Sequence, residues 1–224
     1  MQHLEPRLLL AAYAAGVFPM AESRDAGDIF WVEPRARTIL PLGGFHLSRS
    51  LRRALHRDRF QVTRDRAFAD VMLACADREE TWINPTIEVG YRRLHEAGHA
   101  HSIECWDGEH LAGGLYGVRL GGAFFGESMF SRETDASKIA LASLVARLRV
   151  GRFRLLDCQF MTPHLASLGA VEIGRSAYQA VLSDAVGAGL DGSEPRPDWG
   201  ALDSLVDGAA SPGRVIAQLL GQTS

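Results

Sequence analysis

The chain has 224 residues, 46% hydrophobic and 23% charged, which is ordinary for a globular protein of one large domain with at most a small appendage. Its net charge of −3 gives no global attraction to nucleic acid, and its three scattered cysteines exclude a disulfide framework or a thiolate zinc site. No apolar run approaches the roughly 20 residues that span a bilayer, so we expect a cytoplasmic protein with no membrane contact.

Helical spacing of apolar residues dominates the first hundred residues. Ser48 is the expected N-cap of one helix, in which Leu51 and Leu55 lie four residues apart. The other helices in this half are predicted at residues 6–15, 68–75 and 87–97.

The second half alternates strand and helix patterns. A meander of three strands precedes a long helix, for which Thr134 or Asp135 is the expected N-cap. The strands are predicted at residues 101–106, 110–119, 123–129 and 155–160, and the helices at 136–149, 164–168, 176–186 and 213–220.

These patterns predict an α+β fold in which helices flank a mixed sheet. Pro34 and the arginines after it change the character of the chain, so we place a soft boundary between a small N-terminal domain, residues 1–34, and a main domain, residues 35–187. Glycine, proline and aspartate then become frequent, which indicates a linker and tail over residues 188–224.

A basic stripe follows Ser48. Arg49, Arg53 and Arg57 are spaced four residues apart and therefore share one face of the predicted helix. Like charges at this spacing destabilise an isolated helix by a few tenths of a kcal/mol each, which an anionic partner would relieve. A solvated basic face is the alternative.

Glu127 stands out because it follows Phe124 and Phe125 in a strand-like segment. Burying a charge without a partner costs several kcal/mol. We therefore expect Glu127 either to have a partner or to receive a cationic ligand, the alternative being a carboxylate that caps the following turn.

Several longer blocks occur in a fixed order along the chain: Tyr13–Pro19, Phe45–Ser50, Thr81–Ile83, His95–Glu104, Gly126–Arg132, Leu156–Gln159 and His164–Ala170. In this order they resemble the leucyl/phenylalanyl-tRNA–protein transferase family. The resemblance implies that the main domain has a GNAT-like acyltransferase fold.

The resemblance also implies the activity and its participants. Members of this family transfer leucine, phenylalanine or, less well, methionine from aminoacyl-tRNA to the N-terminal arginine or lysine of acceptor proteins, which marks them for degradation by the N-degron pathway. The catalytic pair would be Asp157 and Gln159. Asp157 would orient and polarise Gln159, whose carbonyl oxygen would either accept the proton of the attacking amine or only position that amine. Glu127 would meet a cationic group of the acceptor. The implied enzyme is a monomer without a cofactor.

Further positions match the substrate-binding residues of the family. Trp82 and Met20 would hold the terminal adenosine of the tRNA, Met20 standing where the family often has tryptophan. An apolar pocket would take the transferred side chain, although core packing is the alternative for each of its members. The pocket positions are Leu115, Phe124, Met129, Leu141, Leu144 and Leu156, and the tRNA-binding positions are Arg49, Arg52, Arg53, His56 and Arg57.

Two other functions compete with this interpretation. An acyl-CoA-dependent N-acetyltransferase would share the fold, but the turn from Ser131 to Ser137 has two acids and no glycine with which to bind pyrophosphate. An RNA-binding module would rest on the basic helix alone. His99 and His101 could ligate a metal, but without a third ligand we expect a packed or hydrogen-bonded pair and no metal.

Overall fold

The computed structural model describes residues 4–221. Its helices are α1 (Pro6–Ala14), α2 (Arg49–His56), α3 (Phe68–Ala76), α4 (Pro85–Glu96), α5 (Ala136–Val150), α6 (Pro163–Ser167), α7 (Arg175–Gly187), α8 (Asp203–Val206) and α9 (Pro212–Gly221). Its strands are β1 (Phe18–Met20), β2 (Phe30–Val32), β3 (Ala36–Ile39), β4 (Gln61–Arg64), β5 (Ala100–Asp107), β6 (His110–Leu120), β7 (Ala123–Ser131), β8 (Leu155–Gln159) and β9 (Val171–Gly174). No helix within these residues has both the length and the apolar character needed to cross a membrane.

Seven strands form one mixed sheet in the order β4-β5-β6-β7-β8-β3-β9, while β1 and β2 form a separate hairpin. Only the β7–β8 pair of the large sheet is parallel. The predicted α+β class, the mixed sheet and the β5-β6-β7 meander are confirmed. Strands β1, β2, β3, β4 and β9 were not predicted, because segments of three or four residues carry too little alternation to be recognised locally.

Each face of the large sheet has its own apolar core. Helices α2, α5 and α9 cover one face, where Phe124, Leu144 and Trp199 are buried. Helices α1, α3, α4 and α7 cover the other face, where Tyr13 and Tyr91 are fully buried. We call the first the α5 face and the second the α1 face.

The two predicted helix caps have different outcomes. Ser48 caps α2 as expected, its hydroxyl accepting from the N–H of Leu51 at 3.2 Å. The expected cap of α5 is wrong. Asp135 occupies the N-cap position with φ +68°, outside the extended region from which a side chain caps a helix, and the hydroxyl of Ser131 accepts from the N–H of Ser137 instead.

The C-terminal segment packs on the α5 face. Trp199 is only 4% exposed, and its ring stacks on Phe124 with centroids 5.2 Å apart. Helix α9 buries three residues against α2 and α5: Ile216, Ala217 and Leu220. The segment predicted as a linker and tail therefore contributes to the core.

A polar cluster around the half-buried Asp65, which we call the Asp65 cluster, connects this segment to the sheet. Asp65 accepts from the N–H of Ser102 at 3.0 Å and from Trp199 Nε1 at 3.2 Å, and its Oδ2 lies 2.9 Å from His101 Nδ1. Burial raises the pKa of Asp65, but the hydrogen bond and charge of His101 outweigh it and bring the pKa to about 2. The predicted hydrogen-bonded histidine is thus partnered by an aspartate.

Candidate active site

The parallel strands β7 and β8 stay paired for only three residues. Their last paired positions are Phe125 and Asp157, and beyond them the strands part. Glu127 lies just past this point on β7, and Gln159 lies just past it on β8. The parting therefore brings the three predicted polar residues to one place.

A β-bulge aims the Glu127 side chain. On β6, Tyr116 pairs with Ser128 while Gly117 pairs with Gly126, so Glu127 is the extra residue. Bulges often redirect a side chain beside an active site. The sequence supports this bulge with Gly117, where a Cβ atom would lie 2.2 Å from the carbonyl oxygen of Phe125.

Neutral donors surround Glu127. The Tyr13 hydroxyl lies 2.7 Å from Oε1 and the Tyr91 hydroxyl lies 2.9 Å from Oε2. The two hydroxyl oxygens are also close to each other, so their two protons serve three contacts. Gln159 Nε2 donates more weakly to Oε1, at 3.4 Å. Burial raises the pKa of Glu127 to about 7, against the lowering effect of the tyrosine hydrogen bonds. Glu127 therefore titrates near neutral pH.

Asp157, in contrast, is saturated by donors and pairs with a cation. Arg37 Nε lies 3.0 Å from both carboxylate oxygens, and Arg37 Nη2 donates to Oδ2 at 2.7 Å. Tyr178 Oη donates to Oδ2 at 2.7 Å, and the N–H of Gln159 donates to Oδ1 at 2.9 Å. Arg37 is 2% exposed and Asp157 is fully buried, so this is a buried ion pair within the fold.

Gln159 is held in an uncommon backbone conformation. Its φ is +56°, and the N–H of Phe160 donates to the carbonyl of Cys158 at 2.7 Å across it. A non-glycine residue in this region costs on the order of 1–3 kcal/mol and persists only where its surroundings enforce it. The bond from Asp157 supplies part of that enforcement. Asp157 therefore orients Gln159 through the main chain, while the side-chain amide of Gln159 points at Glu127.

The predicted apolar pocket residues lie on the α5 face, opposite Glu127. All but one of them are at most 3% exposed and pack as core, and only Met129 is partly exposed. They occupy β6, β7, β8 and α5, the elements that border the parting of the strands. The buried members are Leu115, Phe124, Leu141, Leu144 and Leu156.

The two residues expected to hold the terminal adenosine come together on the α1 face. The N–H of Ala21, next to Met20, donates to the carbonyl of Trp82 at 3.2 Å. Met20 and Trp82 are both partly exposed. Across the β1–β2 hairpin, Met20 pairs with Phe30, which is 45% exposed. The hairpin thus presents an accessible aromatic ring next to Met20.

The predicted tRNA-binding residues are all exposed along α2, which buries Leu51 and Leu55 on its other face. Within residues 4–221 they make no salt bridge. The positive charges of the four arginines are therefore available to an anion. They are Arg49, Arg52, Arg53, His56 and Arg57.

Other candidate locations are less suited to catalysis. A cleft of about 840 Å³ lies between β4, α5 and the C-terminal segment, away from Glu127. Two of its arginines, Arg64 and Arg147, are both paired with Asp203. In the part of the chain that the structure describes, no three His, Cys, Asp or Glu side chains are arranged to hold a metal ion.

Sequence reasoning missed four residues that shape the site. They come from α1, β3, α4 and α7, and only the tertiary fold brings them together. For the tyrosines, the only available signal was a position on the apolar side of a predicted helix. For the arginine, it was a position in a basic region that falls on a strand. The four are Tyr13, Arg37, Tyr91 and Tyr178.

Comparisons with known proteins establish the family of the chain. A family model described as leucyl/phenylalanyl-tRNA protein transferase matches residues 39–183, and the model of its N-terminal domain matches residues 2–35. The chain belongs to the leucyl/phenylalanyl-tRNA–protein transferase family. The family resemblance predicted from the sequence is confirmed, and with it the class of aminoacyltransferases.

Three relatives with this name match over more than nine tenths of their length. One from Rhizorhabdus wittichii is 56% identical, covering 100% of this chain and 100% of the relative. One from Cereibacter sphaeroides is 63% identical over 91% of this chain and 94% of the relative, and one from Novosphingobium aromaticivorans is 52% identical over 99% and 97%.

Proposed function

We propose that this leucyl/phenylalanyl-tRNA–protein transferase moves leucine, phenylalanine or, less well, methionine from aminoacyl-tRNA to the N-terminal arginine or lysine of acceptor proteins. It acts as a cytoplasmic monomer, and its products enter the N-degron pathway. The observation that carries the proposal is the meeting of Glu127, Asp157 and Gln159 where β7 and β8 part.

The reaction is aminolysis of an ester, so the site must hold the amine beside the ester carbonyl and keep water out. Gln159, fixed through its main chain by Asp157, positions the amine. Glu127 lies 3.4 Å from the amide nitrogen of Gln159 and receives a cationic group of the acceptor. The transferred side chain binds among the apolar residues between β7, β8 and α5, and β7 and β8 separate further to admit it.

The tRNA is held at two places. Met20 and Trp82 grip the terminal adenosine beside the site, where an aromatic or thioether surface stacks on a base. The exposed arginines of α2 contact the phosphate backbone, so binding weakens as salt rises and is independent of sequence.

The test supplies purified protein with radiolabelled Leu-tRNA, Phe-tRNA or acetyl-CoA, together with a peptide that begins with arginine. We expect label to move to the peptide from both tRNAs and not from acetyl-CoA. A matched peptide that begins with glycine should remain unlabelled. Acetylation of the peptide, or tRNA binding without transfer, would overturn the proposal.

A further inference from the structure

We propose that Glu127 is a catalytic residue, which accepts the proton that the acceptor's terminal ammonium must lose before it attacks the ester. The inference rests on the proposed function and deepens it, because the sequence assigns Glu127 only to binding. Asp157 and Gln159 then become positioning residues. The assignment comes from the hydrogen bonds around the two carboxylates.

Asp157 has no capacity left to act as a base. Both of its oxygens accept from the Arg37 guanidinium, and Tyr178 and the N–H of Gln159 add one further donor each. A carboxylate accepts at about four lone-pair positions, so these bonds fill it. A proton placed on Asp157 would also break a buried ion pair, which is strongly unfavourable.

Glu127 has the opposite surroundings. Its close partners are two tyrosine hydroxyls and one amide, all neutral, and no guanidinium or ammonium group lies within ion-pair distance of it in residues 4–221. It remains partly exposed at the parting of the strands, whereas Asp157 is fully buried. An incoming ammonium can therefore reach Glu127 and not Asp157.

The charged and titratable groups that face Glu127 support a proton-accepting role. Burial holds the pKa of Glu127 at about 7, with Asp157 raising it and the Tyr13 and Tyr91 hydrogen bonds and Arg37 lowering it. Tyr116 on β6 and Tyr178 on α7 complete this set, and burial raises the pKa of both tyrosines, so they stay neutral near pH 7. An α-amino group has a pKa of about 7.7–8.0, so proton transfer to Glu127 is nearly balanced.

Gln159 is unsuited to take the proton itself, since a neutral amide is a very weak base. Its Nε2 donates toward Glu127, which leaves its Oε1 free to accept an N–H of the bound amine. The amine is then held beside Glu127. The left-handed backbone of Gln159 and the bond from Asp157 fix this arrangement.

The ammonium passes one proton to the Glu127 carboxylate, and the neutral nitrogen attacks the ester carbonyl carbon, forming the C–N bond. The C–O bond to the tRNA breaks, and the 3′ oxygen leaves with a second proton from the nitrogen. The products are an amide and a free 3′ hydroxyl, and Glu127 releases its proton to water.

The experiment compares wild type with Glu127→Gln in single-turnover transfer from Leu-tRNA at saturating peptide, between about pH 5.5 and pH 9. Two acceptors are used: an arginine-initiated peptide, and a matched peptide whose terminal amine is replaced by a hydrazide, which is neutral at pH 7. With the ammonium acceptor we expect the variant to be at least about tenfold slower at pH 7 and the defect to shrink toward pH 9. With the hydrazide we expect the two proteins to differ by less than about twofold.

Equal loss with both acceptors would overturn the proposal in favour of a structural role. A series over peptide concentration at pH 7 gives KM, and a raised KM with an unchanged saturated rate would overturn the proposal in favour of binding alone. If Glu127→Gln does not fold, Tyr13→Phe serves instead. The hydrogen bond from Tyr13 lowers the pKa of Glu127, so its loss should move the inflection of the transfer rate against pH to higher pH. An inflection that does not move would contradict the proposal. No transfer by wild type to either acceptor would instead reject the proposed function.

Discussion

The candidate site and the Asp65 cluster are each built around an aspartate with several hydrogen-bond donors, yet they are organised differently. In the Asp65 cluster, both carboxylate oxygens are paired with groups of the same fold, and the pKa of Asp65 is low. In the candidate site, one carboxylate is equally well paired, but its neighbour Glu127 has only neutral donors and a pKa near 7. Satisfied polar groups stabilise a fold, whereas incompletely satisfied groups near solvent are available to a substrate.

Backbone geometry shows a related contrast. Asp65 and Gln159 both have φ near +57°. At Asp65, the strained backbone belongs to a hydrogen-bond network that holds Trp199 against the sheet. At Gln159, the strained backbone directs the side-chain amide toward Glu127. The same local conformation therefore serves stability in one region and, by our proposal, catalysis in the other.

The strongest test of this comparison removes the ion pair of the site. Asp157→Ala should lower transfer more than about 100-fold and reduce the free energy of unfolding by about 3–5 kcal/mol, because Arg37 is left buried without a partner. Urea unfolding and single-turnover assays measure the two effects, and tRNA affinity by filter binding should change less than about twofold. The double variant Arg37→Met, Asp157→Leu is the control. It should regain stability without regaining transfer, and recovered transfer would show that Asp157 matters only for folding.

Glu127→Gln should change stability in the opposite direction. The pKa of the Glu127 carboxyl group is about 7 when the protein is folded and has its ordinary value of about 4.5 when it is unfolded, so wild-type stability falls as the pH rises between these values. Glutamine does not titrate. The variant should therefore be more stable than wild type by about 2–3 kcal/mol at pH 8 and by nothing below pH 4.5. Equal or lower stability at pH 8 would show that Glu127 is well paired.

Asp65→Asn should reduce the free energy of unfolding without changing the transfer rate. Because the pKa of Asp65 is low in the folded state, its carboxylate adds to the free energy of unfolding above about pH 4. This contribution is lost as the pH falls through about 2. We expect the variant to lose about 2 kcal/mol at pH 7, measured by urea unfolding, with the transfer rate unchanged below the melting temperature. A loss of transfer rate in a fully folded sample would break the distinction between the two clusters.

The smallest effects should come from the surface of α2. Arg53→Gln should weaken tRNA binding severalfold, reduce the salt slope of affinity by about 1 and change stability by less than about 0.5 kcal/mol. Arg7→Gln, at an exposed position on α1, is the matched control. If both variants weaken binding alike, the α2 stripe has no special role.

The sequence predicted the elements that carry a long, regular pattern. The β5-β6-β7 meander and helices α3, α4, α5 and α7 were all located from spacing alone, and Glu127 was noticed because its neighbours are apolar. Pairings between distant segments could not be read this way. Arg37 lies 120 residues from Asp157, on a four-residue strand that enters the sheet between β8 and β9.

Local exceptions to regular structure were also unpredictable. Residue spacing assumes that a strand alternates, but bulges at Glu127 and Cys158 break the alternation where the site lies. Tyr13 and Tyr91 read as ordinary buried helix residues until the fold shows their hydroxyl groups on one carboxylate.

The most direct test of the central claim is a structure of the protein bound to a non-hydrolysable phenylalanyl-adenosine analogue. We expect its carbonyl carbon to lie within about 4 Å of Glu127 or Gln159, with the phenyl ring between β7, β8 and α5 and the adenine beside Met20 and Trp82. An analogue bound in the cleft between β4, α5 and the C-terminal segment, with the parting of β7 and β8 empty, would contradict the account.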